Sequence, residues 1–134
     1  MTPNQHKFCC STVRTPKRFK DAAPFLCPVD PIALNIPHYR LIIKRPMDFA
    51  TIQTRLQNSN PSKAPSDPLA ARYRTYDDFV TDVRQIFQNC YLFNGMEHFI
   101  SNQARKLEDI LDKQLKQMPP DGEVRSPRAC CPRG

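Results

Sequence analysis

The stretch Tyr91-Leu92-Phe93-Asn94-Gly95 closes a long amphipathic segment, and its reading decides the fold. Upstream of it, Phe79, Val83, Ile86, Phe87 and Cys90 recur at three- and four-residue spacing, which puts them on one face of a helix. Thr75 precedes that run. Asp77 and Asp78 follow in its first turn, where the helix dipole favours carboxylates. Gly95 is a helix-stop signal. Asn94 therefore falls where the helix runs out. An asparagine there either caps the helix end or presents its carboxamide to a ligand in a cavity at the end of a helix bundle. On spacing alone the first role is the commoner.

Three further helices are predicted around this one. A last helix over 98–118 carries Ile100, Ala104, Leu107, Ile110, Leu111, Leu115 and Met118 on its inner stripe, and Pro119-Pro120 ends it. An earlier one starts after Asp48, a good N-cap, with Phe49, Ile52 and Leu56 on one face. The first lies within 4–21, with Phe8, Thr12 and Phe19 as inward positions. Pro16 should kink or restart it, because proline lacks the amide donor and clashes with the carbonyl four residues back. Thr15-Pro16 is alternatively an N-cap followed by a first helical residue.

Residues 24–47 hold five prolines, yet they also carry ten apolar side chains, from Phe25 to Ile43. That is too apolar for a disordered linker, so an ordered loop that buries them is predicted. Residues 58–74 are rich in Pro, Ser, Asn and Ala and read as an exposed excursion. Strand periodicity is absent. The fold class is all-α: an antiparallel, left-handed four-helix bundle with a long ordered loop between helices one and two.

Composition narrows the function. At 134 residues and 15.5 kDa, one domain is the default. No apolar run approaches the roughly 20 residues of a membrane span, and the N-terminus lacks a signal-peptide core. A nuclear or cytosolic protein is expected. The six cysteines (9, 10, 27, 90, 130 and 131) have no zinc-finger spacing and read as free thiols, with Cys90 on the apolar helix face. The net charge of +7 is concentrated in Lys7, Arg14, Lys17, Arg18 and Lys20. Such a run is usually a solvated face; a weak phosphate-attracting patch is the alternative. A hydrolase or transferase using Cys90 fails on inventory. The histidines are His6, His38 and His98, and the chain holds no Gly-rich phosphate loop or paired-carboxylate motif.

Taken together, Pro24-Phe25, Pro28-Val29-Asp30, Asn35-Ile36-Pro37 with Tyr39, Ile42-Ile43-Lys44 with Pro46-Met47-Asp48, and Asn89-Cys90 with Phe93-Asn94 form a recognisable set. The chain resembles a bromodomain, the helical module that binds acetylated lysine, and in particular BET-family bromodomains of fungal type. The resemblance covers roughly residues 5–119. It leaves 1–4 as an N-terminal extension and 120–134 as a flexible C-terminal tail or a non-native remnant.

The chemistry suits such a reader. Acetylation removes the lysine charge and leaves a carbonyl acceptor and a methyl group on an apolar stem. Its reader needs a narrow apolar channel with an uncharged donor at the floor, which an Asn side chain supplies. The resemblance implies that Asn94 hydrogen-bonds the acetyl carbonyl and that the Tyr39 hydroxyl reaches the same oxygen through an ordered water. Pro24 and Phe25 correspond to the last two residues of the family's Trp-Pro-Phe shelf. Val29, Leu34 and Ile36 correspond to pocket walls, with Cys90 and Phe93 beside the asparagine. Ile100 takes the gatekeeper position, and His98 lies on the peptide rim, as in second bromodomains of animal BET proteins, although the rest of the chain is first-domain-like.

Four departures stand out. Ala23 replaces the shelf tryptophan, Phe93 a tyrosine and Met96 a proline, and residues 59–72 are an insertion. The resemblance implies acetylated histone tail peptides as partners, with small-molecule acetyl-lysine mimics (BET-type inhibitors) in the same pocket. It implies a nuclear, monomeric module without cofactor, metal, membrane or catalytic role. A weak DNA contact through the basic first helix is a further expectation. The rival reading is a basic helical bundle that binds nucleic acid or a protein partner without acetyl-lysine recognition.

Overall fold

The computed structural model describes residues 2–63 and 69–118. The C-terminal tail and Cys130 and Cys131 lie outside them, as do residues 64–68 of the insertion. Among the described residues there are helices α1 (Pro3–Arg14), α2 (Ala23–Leu26), α3 (Tyr39–Ile42), α4 (Phe49–Gln57), α5 (Tyr76–Asn94) and α6 (Phe99–Leu115), and no strand. None of these helices is long and apolar enough to cross a membrane.

The four long helices form the bundle, α1 against α4 and α5 between α4 and α6. The two helices α5 and α6 run antiparallel: the Tyr76 hydroxyl donates to the Leu115 carbonyl at one end, and Cys90 meets Ser101 at the other. Their shared face buries Phe79, Val83, Ile86, Phe87 and Cys90 with Ala104, Leu107, Leu111 and Leu115. The Phe87 ring makes edge contacts with Phe25 from the loop and Phe49 from α4, so one aromatic joins three elements.

Local chemistry sets the helix ends where the sequence places them. Asp48 accepts the N–H and hydroxyl of Thr51 to start α4. Thr75 and Asp78 exchange side-chain and backbone bonds in a capping box that starts α5. Thr2 and Gln5 do the same for α1. The break at Pro16 takes the form of a 3₁₀ turn, Thr15–Arg18, directly after α1, with Pro16 buried. Thr15 is not an N-cap: its backbone is helical, and its hydroxyl donates to Gln114 at 2.8 Å.

Other inward positions differ from the pattern reading. In α1 the buried residues are Gln5, Cys9, Thr12 and Val13, while Phe19 is exposed because it follows the 3₁₀ turn in extended backbone. Ile110 also faces outward, being next to the buried Leu111 on α6. The long loop is ordered through two short helical turns, but it buries only part of its apolar set. Phe25, Tyr39, Ile43 and Met47 are inside, whereas Ile32, Leu34, Leu41 and Ile42 remain exposed.

A buried carboxylate locks the loop to the bundle. The Asp82 side chain on α5 is 2 % exposed and accepts from Arg45 at 2.6 Å, Arg55 at 2.7 Å and the Tyr73 hydroxyl at 2.7 Å. Those three partners come from the end of the loop, from α4 and from the segment before α5. Asn89, two turns further along α5, donates to the Arg45 carbonyl at 2.8 Å while its own carbonyl accepts from Gln85. The loop end is thereby held at two heights on α5, and this fixes one wall of the cavity beyond it.

Candidate functional site

The cavity opens at the end of the bundle where α5 stops and α6 begins. Its volume is about 700 Å³, and its lining is mostly apolar. Helical periodicity brings Ile86, Cys90 and Asn94 to it from one face of α5, with Phe93 beside them. The loop contributes Pro24, Phe25, Val29, Leu34, Ile36 and Tyr39, and the start of α6 contributes His98 and Ile100. Every side chain singled out in the sequence thus lines one cavity. Cys27, Ala33 and Met47 line it as well and were not picked out, nor was Ile86. The last was legible, since it lies two turns before Asn94 on the same helical face.

Asn94 is half-buried in the last turn of α5. Its Nδ2 donates to Cys90 Sγ at 3.6 Å, a weak acceptor that leaves the amide with donor capacity to spare. The chain leaves the helix through Gly95 at φ 84°, ψ 155°, a backbone region essentially restricted to glycine. The Gly95 N–H reaches the Tyr91 carbonyl at 2.9 Å, and its carbonyl accepts the Ser101 hydroxyl at 2.6 Å. The end of α5 is thus tied to the first turn of α6. Met96 is exposed, but the Arg105 guanidinium holds its carbonyl at 2.6 Å, so the loop lacking the usual proline is still anchored.

Opposite Asn94, Tyr39 is buried, with its ring 4.9 Å from that of Phe93. Phe93 also meets His38 at 5.3 Å, so the residue that replaces a tyrosine keeps an aromatic wall without the hydroxyl. Burial pushes the Tyr39 hydroxyl above its ordinary pKa, with the nearby Cys90 adding to the effect. It is therefore a neutral donor at physiological pH. Burial likewise raises the Cys90 thiol, partly offset by its contacts to Ser101 and Asn94. A buried thiol held protonated is a poor nucleophile.

At the rim, the His98 ring accepts the Ile100 N–H at its Nδ1, 3.1 Å away, and so caps α6. That bond puts the proton of the neutral ring on Nε2. Asp30 is the lining's carboxylate among the described residues, and its Oδ1 is engaged by the N–H groups of Ile32 and Ala33. Ala23 and Pro24 are exposed at the mouth, where the shelf is lower than a tryptophan would make it.

The bromodomain family model matches residues 9–106. The chain belongs to that family. Fungal proteins are among its relatives. It is 39 % identical to the SWR1 complex bromodomain subunit bdf1 of Schizosaccharomyces pombe over 119 residues, which is 89 % of this chain and 18 % of that protein. It is 39 % identical to bromodomain-containing factor 2 of Saccharomyces cerevisiae, over 90 % of this chain and 17 % of that protein. The same identity holds with bromodomain-containing factor 1 of Candida albicans, over 84 % of this chain and 14 % of that protein. This bromodomain is therefore BET-like and of fungal type, and it spans less than a fifth of the length of the curated relatives it matches.

Proposed function

We propose that this bromodomain reads acetyl-lysine on histone tails and brings a chromatin or transcription regulator to acetylated chromatin in the nucleus. The observation that carries the reading is the Asn94 carboxamide, whose nitrogen has only a weak sulfur acceptor among the described residues and which lines an apolar cavity together with the buried Tyr39. An acetamide carbonyl is a better acceptor than the Cys90 sulfur, and the lysine stem suits walls made of Val29, Leu34, Ile36 and Ile100. Unmodified lysine is disfavoured, because its ammonium would lose water among apolar walls, and Asp30, the lining's carboxylate, is itself exposed to solvent rather than set among them.

One small channel with one direct hydrogen bond supplies modest free energy. Dissociation constants on the order of 10 µM to 1 mM, about −7 to −4 kcal/mol, are expected. Small-molecule acetyl-lysine mimics occupy the same cavity, and the isolated module acts as a single copy, as a binder and not as an enzyme. The basic first helix lies outside the cavity lining, so a weak nucleic-acid contact there is compatible with acetyl-lysine reading. An array of acetylated and unmodified histone-tail peptides tests the proposal. Signal on acetylated spots alone is expected, and equal signal on both sets would refute it.

A further inference from the structure

The chain passes from α5 to α6 through Gly95–His98, a turn closed by the His98 N–H on the Gly95 carbonyl at 3.4 Å. Asn94 enters this turn and His98 leaves it, and both line the acetyl-lysine cavity. A shift of the turn therefore moves two walls of the site at once. The turn has little of its own to hold it. Met96 and Glu97 are exposed, and α5 brings no basic residue to its last turn, where the helix dipole favours a cation.

Helix α6 makes up both deficits. The Ser101 hydroxyl donates to the Gly95 carbonyl at 2.6 Å, and one turn later Arg105 Nη1 donates to the Met96 carbonyl at 2.6 Å. The second guanidinium nitrogen, Nη2, donates to Asn102 Oδ1, which braces the side chain on its own helix. Arg105 takes part in no ion pair among the described residues. Its charge acts at the end of α5, where it opposes the upward push that burial gives the Cys90 thiol and the Tyr91 hydroxyl. Arg105 itself does not line the cavity.

We propose that Arg105 is a positioning residue for acetyl-lysine: by fixing the Met96 carbonyl it holds the turn in the arrangement that presents the Asn94 amide and His98 to a peptide. The inference rests on the acetyl-lysine reading of the cavity. Ser101 is fully buried against Cys90, so its loss would disturb the core. Arg105 is half-buried and bonds two exposed residues, Met96 and Asn102, so the bundle stands without it. What it supplies is order before binding. A turn that samples other arrangements lowers the apparent affinity by the fraction that is competent. A proline at position 96 would supply the same order covalently, and the backbone accepts one. Gly95 has ψ 155°, within the extended range that a following proline demands. Position 96 is the second residue of the turn, which suits proline's fixed φ. The Met96 N–H makes no hydrogen bond among the described residues.

The test is calorimetry of the full chain with one acetylated histone-tail peptide, for wild type, Arg105→Met, Met96→Pro and the double variant. The Asn94 side-chain amide is followed by NMR in the free proteins, assigned by its loss in Asn94→Ala. Arg105→Met should bind about three- to tenfold more weakly and shift the Asn94 amide signals, with helical circular dichroism unchanged. Met96→Pro should bind like wild type, and Met96→Pro/Arg105→Met should return to within about twofold of it, a rescue that a merely structural arginine would not show. Lys106→Met removes the same charge from the adjacent exposed position and should bind like wild type. Undiminished binding by Arg105→Met, loss of its helical signal, an equal loss in Lys106→Met, or a double variant as weak as Arg105→Met would each overturn the proposal. In those cases a weakened Asn94→Ala would leave the acetyl-lysine reading standing. A wild type that binds acetylated and unmodified peptide equally would overturn both.

Discussion

The Tyr73 hydroxyl donates to Asp82 Oδ2 at 2.7 Å, in a contact buried on both sides. Asp82 also holds two guanidiniums, so one carboxylate ties the segment before α5 to α4 and to the end of the long loop. Tyr73→Phe leaves both arginines in place and should lower stability by about 1 kcal/mol. Asp82→Ala should lower it by about 2–4 kcal/mol, less than for fully buried pairs because Arg45 remains half exposed and can be solvated. Urea unfolding of both variants measures the difference. Comparable, small effects for the two would show that the carboxylate does not organise the cluster.

Alkaline pH should unfold the protein through its tyrosines. Tyr39, Tyr73, Tyr76 and Tyr91 are all raised, each chiefly by burial, with Asp82 adding to Tyr73 and Glu108 to Tyr91. Groups whose folded pKa lies above the unfolded value contribute stability that is complete below about pH 10 and lost as pH rises beyond it. Tyrosinate absorbance should therefore appear in one step together with loss of helical circular dichroism. Tyrosinate formation near pH 10 in a protein that is still folded would contradict the burial of these rings.

Thiol reactivity should be graded. Cys27 is exposed, whereas Cys9 and Cys90 are buried and Cys9 is pushed up to about 12, first by burial and then by Cys10. In native protein Cys27 should react with a disulfide reagent in the fast phase, Cys90 more slowly because it is reached only through the cavity, and Cys9 only at the rate of unfolding. Mass mapping of the labelled sites decides it. Early labelling of Cys90 would mean that the end of α5 is open.

Gly95→Ala should destabilise the protein even though a Cβ there meets nothing within 4 Å. The obstacle is the backbone: φ 84° with ψ 155° is a region L-residues populate at about 1–3 kcal/mol of strain. A thermal melt should show the loss, and acetylated-peptide affinity should fall too, since Gly95 sets where the last turn of α5 stops. Unchanged melting and affinity would show that the α5–α6 connection tolerates another path.

The helices were legible from local signals, namely caps at Asp48 and Thr75 and stripes such as Phe79–Cys90, whereas the loop residues that line the cavity were reached through the family resemblance and not through any local period. Asp82 was not legible. It sits beside Val83 within the apolar stripe and reads as a solvated carboxylate until Arg45, Arg55 and Tyr73 arrive from elsewhere in the chain. The loop was misjudged in a related way. Counting its apolar residues predicts that it is ordered, but Ile32, Leu34, Leu41 and Ile42 stay exposed because turns, not a regular period, decide which way they face. Phe19 is outside for the same reason, one residue beyond the turn that Pro16 forces.

The central claim is that the Asn94 amide meets the acetyl carbonyl at the floor of the cavity, and calorimetry on one acetylated histone-tail peptide tests it most directly. Asn94→Ala should weaken binding by about 1–3 kcal/mol, roughly 5- to 150-fold, because the buried carbonyl loses its donor. Tyr39→Phe should lose less, its contact running through a water, and Asn94→Phe more, since the ring would fill the channel. Circular dichroism should show all three variants folded, as Asn94 lies beyond the buried stripe of α5. A folded Asn94→Ala that binds the peptide as tightly as wild type would contradict the account and leave Asn94 as a helix terminator.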